Sequence, residues 1–130
     1  MRYVIAGSSG FLGTALRARL ARDGHDVTRL VRRPAVSASE SSWDPYAGIV
    51  DADLIGSADV VVNLAGVSLV HWPWTASYRR KIVESRRSTT GTLADAIAAA
   101  PTSRPRTNRL RAFSLVAPST LVPTPRAVWD

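Results

Sequence analysis

Three glycines stand at a spacing of three, Gly7, Gly10 and Gly13, in the stretch IAGSSGFLG near the start of the chain. A Gly-rich turn between a strand and a helix offers backbone N–H groups to a phosphate, and the helix N-terminus adds about half a positive charge. In such a loop Gly7 permits a tight turn, Gly10 lets a pyrophosphate approach, and Gly13 lets helix and strand pack closely. The spacing departs from G-x-G-x-x-G, so on spacing alone a purely structural turn stays open. A second basic feature follows about twenty residues on, where dinucleotide sites place the residue that reads the ribose. NAD sites carry an acid there; LVRRP instead places Arg32 and Arg33. Two guanidiniums suit a 2′-phosphate, which a planar fork binds bidentately. The implied cofactor is NADP, with NAD as the alternative, and a solvated basic turn is the bland reading of the same pair.

These groups need particular elements to hold them. RYVIA, Arg2–Ala6, is a short β-rich run that stops at Gly7. From Phe11 to Arg22, the residues Leu12, Ala15, Leu16 and Leu20 recur at helical spacing. Asp23-Gly24 ends that helix, and DVTRLVRR reads as a second strand closed by Pro34. Residues 35–57 read as mixed and loop-rich, with turn signals in WDPYAG and a weak apolar segment at Ile49–Ile55. ADVVVNLAG, Ala58–Gly66, is the continuous apolar run of a strand buried on both faces. After HWPWT, with Thr75 as N-cap, a long helix is expected from about Ala76 to Ala99, open to disturbance at Gly91. Alternating strands and helices imply a parallel sheet with right-handed crossovers.

Composition removes several function classes. Cysteine is absent, and His25 and His71 stand far apart, so no metal site is expected. No apolar run is long enough to span a membrane, and the apolar start is broken by Gly7–Gly10, which does not suit a signal peptide. A cytoplasmic protein is the expectation. The net charge of +7 points toward nucleic acid at first sight. Its distribution weakens that reading, because residues 101–130 hold five arginines and a single acid. The same segment holds five of the eight prolines and none of the eight glycines. The chain is therefore divided into a nucleotide-binding region, 1–100, and a divergent tail, 101–130.

With these pieces in order, the chain resembles the extended short-chain dehydrogenase/reductase superfamily. It is most similar to its NAD(P)-dependent epimerase-like, uncharacterised epimerase group, which includes actinobacterial members. The resemblance rests on AGSSGFLG, RLVRRP, WDPYAG, ADVVVNLAGVSL and WTASYRRKIVESRRSTTGTLADAI. It implies an α/β fold, a Rossmann-like doubly wound parallel sheet, incomplete at its C-terminal side. It also implies that Gly7, Ser9, Gly10, Phe11, Leu12 and Gly13 cradle the pyrophosphate. Arg32 and Arg33 would hold the adenosine phosphate, and Leu64, Ala65 and Gly66 would line the cofactor at the end of the fourth strand. Small residues at the carboxyl end of a buried strand leave room for such a ligand. The group also has a Ser-Arg pair where Ser85-Arg86 stand. Trp72 and Trp74 either border a pocket or pack over the sheet, and the basic residues Arg79, Arg80, Lys81, Arg86 and Arg87 read first as a solvated helix face.

The catalytic part of the resemblance stops short. The superfamily uses a Ser or Thr after the fifth strand and a Tyr with a Lys four residues on, which together shuttle a proton. Tyrosine occurs here at 3, 46 and 78; Ile82 stands where Tyr78 would need its lysine, and Lys81 is one place short. The Ser-Ala-Ser strand end and Gly-Tyr-Tyr-Gly turn of the epimerase-like group are absent as well. RAFSLV resembles the start of a fifth strand, and Ser114 or Ser119 lacks a proton shuttle, so no catalytic residue is assigned. The expected function is an NADP-binding, epimerase/dehydratase-like oxidoreductase portion without its catalytic and substrate-binding part, the tail being truncated or translated out of frame from some point between Ala100 and Phe113. The alternative is a non-enzymatic NADP(H) sensor or interaction protein. The expected partners are the dinucleotide and an unidentified small molecule; apolar surface at Val60–Leu64, left uncovered by missing elements, would favour self-association.

Overall fold

The computed structural model describes residues 1–66 and 75–100, together with the backbone of Arg111–Ser114. Five strands, β1 (Arg2–Ala6), β2 (Asp26–Val31), β3 (Glu40–Ser42), β4 (Val60–Asn63) and β5 (Arg111–Ser114), form one sheet. Its order is β3-β2-β1-β4-β5, and every neighbouring pair is parallel. That is the dinucleotide-fold order through its fifth strand, so the expected α/β Rossmann-like sheet is present. Among the described residues three helices accompany it: α1 (Phe11–Arg22), α2 (Ala52–Ser57) and α3 (Ala76–Ala99).

Strand alternation sends side chains to two separate cores. Val4, Ala6, Leu30 and Val61 pack with Trp43, Ile55 and Ala58 and with Leu93 of α3. Ile5, Val60 and Val62 form the other cluster with Leu20 of α1, and Leu16 packs against them. A strand clothed on both faces loses its polar alternation, which is why β4 reads as VVVN. The expectation that this segment is poorly covered is not met, since Val60, Val61 and Val62 are all buried.

Several local expectations need correction. The second strand ends at Val31, so Arg32 and Arg33 directly follow it instead of belonging to it. On α1, Leu12 and Ala15 are exposed, and only Gly13 and Leu20 are buried. The mixed, loop-rich 35–57 segment holds two short elements for which sequence reading set no bounds. It contains β3, which is three polar residues, and α2, whose N-cap Asp51 accepts from the N–H groups of Asp53 and Leu54. Such a cap contributes about 1 kcal/mol, a large share of what a six-residue helix needs. α3 runs through Gly91 without a break. On α3, Arg79, Arg80, Lys81 and Arg87 are exposed as a solvated face, while Arg86 is half-buried. Among the described residues no helix is long and apolar enough to cross a membrane. His71, Trp72, Trp74 and Ser119 lie outside the described residues, and Ser114 is placed only as backbone in β5.

Candidate functional site

Register decides what meets at the carboxyl edge of the sheet. Ala6 is the Cα partner of both Leu30 and Asn63, so the residues after each of these emerge side by side. The glycine loop, Arg32 and Arg33 after β2, and Leu64–Gly66 after β4 therefore line one cleft of about 510 Å³. Gly7, Ser9, Gly10, Arg32, Arg33, Leu64, Ala65 and Gly66 all belong to its wall. Phe11, Leu12 and Gly13 do not: Phe11 and Leu12 open α1 with 90% and 52% of their surface exposed, and Gly13 is buried beneath the loop.

The three glycines differ in what surrounds them. Gly7 has φ +75°, and a Cβ there would run into the backbone of Leu64 and Ala65. A Cβ on Gly13 would strike the carbonyl of Gly7 and the backbone of Ser8. Beside Gly10 the nearest atom to such a Cβ is the Gly7 carbonyl at 3.7 Å, an ordinary contact. The protein's own packing thus demands Gly7 and Gly13, whereas the space at Gly10 lies open on the cleft. Gly10 is also the N-cap of α1, with no side-chain cap and no acid in the first turn. Nothing in that turn competes with an anion for the helix N-terminus, which suits a phosphate.

Residues to which sequence reading gave no cofactor role also line the wall, among them Ser8, Arg29, Trp43, Tyr46, Ser85 and Thr89. Ser8 is 3% exposed and its Oγ accepts from Arg29 Nε at 3.0 Å. Arg29 faces Glu40 across β2 and β3, and its Nη1 donates to Glu40 Oε1 at 3.3 Å. Arg33 places its fork on the same carboxylate, with Nη1 on Oε2 at 2.9 Å and Nη2 on Oε1 at 2.8 Å. The Val36 N–H adds a fourth hydrogen bond, at 3.1 Å. Arg32 makes no ion pair among the described residues; its guanidinium lies 6.0 Å from the Tyr46 ring centroid.

On the opposite side of the cleft, α3 presents buried Ser85 and Thr89. Asn63, 5% exposed, donates to Thr89 Oγ1 at 3.3 Å and Thr90 Oγ1 at 3.1 Å, while its Oδ1 accepts from the Ala65 N–H at 3.0 Å. One side chain thereby ties the β4 exit to α3. The Trp43–Asp44–Pro45 segment is held in turn by Thr92, whose Oγ1 donates to the Pro45 carbonyl at 2.8 Å. WDPYAG was legible as a motif, yet its sequence assigns it no place on the cleft.

The hydrogen bonds from Arg33, then that from Val36 N–H, hold the Glu40 carboxyl down at about 2 against an ordinary value of 4.5. Since the folded state binds this proton more weakly than the unfolded one, the ionised group stabilises fully above about pH 4.5 and loses that contribution as the pH falls toward about 2. The stability difference between wild type and Glu40→Gln, read from urea melts, is expected to be smaller near about pH 3 than near about pH 7. A difference independent of pH would contradict the ionised assignment.

Known proteins were compared with this site and fold. The NAD dependent epimerase/dehydratase family model matches residues 3–117. An epimerase family protein of Mycobacterium leprae is 44% identical over 96 residues, 74% of this chain and 31% of that protein. The bovine epimerase family protein SDR39U1 is 37% identical over 103 residues, 78% of this chain and 33% of that one. A crystal structure of human SDR39U1 (isoform 2) with NADPH superimposes with a TM-score of 0.63 at 35% identity, over 78% of this chain and 33% of that chain. The chain thus spans about a third of the length of the curated relatives it matches. With the match running from β1 through β5 over a sheet of dinucleotide order, the chain belongs to the NAD dependent epimerase/dehydratase family.

Proposed function

We propose that the chain is the NADP(H)-binding portion of an epimerase-like oxidoreductase. The observation that carries this is the convergence in one cleft of the glycine loop, the β2-end arginines and the β4 exit, with open space beside Gly10. The site fits the group. Gly7–Gly13 and the uncapped α1 N-terminus receive the pyrophosphate, the corner holding Arg32 and Arg33 faces the adenosine phosphate, and Leu64, Ala65 and Gly66 border the remainder. A bound nicotinamide would supply hydride transfer. This chain's residues bind and orient it, and the proton shuttle of the superfamily has no counterpart at Tyr78, which lacks a lysine at 82. The NADPH-bound human relative supports the phosphorylated cofactor, and NAD is the competing ligand.

Titrating the full chain into NADPH and following nicotinamide fluorescence tests the proposal. Saturable binding below about 1 mM is expected, the upper range of cofactor and substrate constants. No saturation by that concentration would sink it. A second reading is a non-enzymatic NADP(H) sensor; under that reading sugar and carbonyl compounds leave bound NADPH unoxidised. The substrate is a small molecule of unassigned class, and a cytoplasmic setting belongs to the same proposal. Self-association, which light scattering of the purified chain reads directly, would cover exposed apolar side chains, Phe11 and Leu12 among them. The division between 1–100 and 101–130 also stays a proposal. β5 joins the sheet at Arg111–Ser114, so we place any change of frame after Ser114. The coding DNA tests this: a family-like continuation in another frame beginning before that codon would contradict it.

A further inference from the structure

We propose that the two β2-end arginines divide their work: Arg32 selects the phosphorylated ribose, whereas Arg33 is a positioning residue, locked by Glu40 into a clamp that also holds Arg29 on Ser8. The part given to Arg32 rests on the NADP(H) reading above; the clamp does not. In sequence the two arginines are equivalent neighbours, and the structure separates them. Arg33 has its bidentate edge, the face that would fit a phosphate, already filled by the Glu40 carboxylate. Its Nη1 also reaches the Pro34 carbonyl at 3.1 Å. A phosphate brought to this guanidinium would have to sit beside an ionised carboxylate, and like charges at that range repel. Arg32 has no carboxylate among the described residues. It lines the cleft beside half-exposed Tyr46, and the ring quadrupole favours its charge over the ring while leaving the N–H edges free.

Glu40 is the centre of the clamp. Its side chain is only 5% exposed and accepts from Arg29 on β2, from both Nη atoms of Arg33, and from the Val36 N–H. Arg29, with one nitrogen on Glu40 and another on buried Ser8, carries the constraint to the glycine loop. The chain Arg33–Glu40–Arg29–Ser8 thereby fixes the spacing between the two ends of the cleft that meet phosphates.

The experiment uses the full chain, with NADPH and NADH titrated separately. Arg32→Ala is expected to weaken NADPH about tenfold or more, the loss of a charge-assisted contact, with NADH changed less than about twofold. Arg33→Ala is expected to weaken both nucleotides by a similar factor and keep their ratio. Selective loss of NADPH by Arg33→Ala, with Arg32→Ala neutral, overturns the division. Melting temperatures without nucleotide give an independent arm. Arg33→Ala and Glu40→Gln should each lower the melting point, and the double variant should fall little beyond the larger single effect. Additive losses overturn the clamp. If the unaltered chain binds neither nucleotide, Arg32's part falls with the NADP(H) reading, while the melting cycle decides the clamp by itself.

Discussion

Replacing Gly13 by alanine is expected to cost about 3 kcal/mol or more, because the added Cβ overlaps rigid backbone and cannot be relieved by a rotamer change. The atoms in its way are the Gly7 carbonyl and the Ser8 backbone, the base of the phosphate loop itself. Gly7→Ala should be at least as damaging, since it adds a left-handed φ to an overlap with Leu64 and Ala65. Gly10→Ala should behave differently. Its Cβ meets only an ordinary contact, so stability is expected to change by less than about 1 kcal/mol, the usual glycine-to-alanine range. Its methyl group instead occupies space on the cleft at the helix N-terminus, and NADPH affinity should fall about tenfold or more, as when one charge-assisted hydrogen bond is lost. Urea denaturation and NADPH titration of the three variants check the contrast. A Gly10→Ala variant that binds normally would return the loop to a merely structural turn.

The second large effect is expected at Asn63. Asn63→Leu keeps the approximate volume but leaves the Ala65 N–H and two threonine hydroxyls without the amide they bond. Each such hydrogen bond contributes about 0.5–1.5 kcal/mol, so losing the three is expected to cost about 2–4 kcal/mol in total. Thr89→Val removes only one of these contacts and should cost about 1 kcal/mol. Because Ala65 and Thr89 line the cleft, nucleotide affinity should fall with stability in Asn63→Leu. Thermal melts with and without NADPH measure both; a stable Asn63→Leu chain would mean that the β4 exit is held by other contacts.

Much of this arrangement was legible from residue order. Gly7 sets the end of β1, Thr75 caps α3, and the apolar run of β4 could only be a strand buried on both sides. What escaped was short or depended on register. β3 is three polar residues, Glu40–Ser42, held by backbone pairing rather than by an apolar pattern. α2 is too brief for a periodicity, although its Asp51 cap was a usable signal. Glu40 carries no motif at all. Its role arises because the β2–β3 register sets it opposite Arg29 and the chain turns back so that Arg33 reaches it. The same contact distinguishes Arg33 from Arg32, which residue type alone cannot do.

The central claim is that the carboxyl edge of this sheet holds a dinucleotide. Its most direct test is amide mapping by heteronuclear NMR as NADPH is added to the isotope-labelled chain. The account predicts shifts concentrated at Gly7–Gly13, at Arg32 and its neighbours, and at Leu64–Gly66, all lying on one cleft. Shifts gathered instead at the opposite edge of the sheet, around Arg2, Asp26 and Ala58, or no shifts at all, would contradict it.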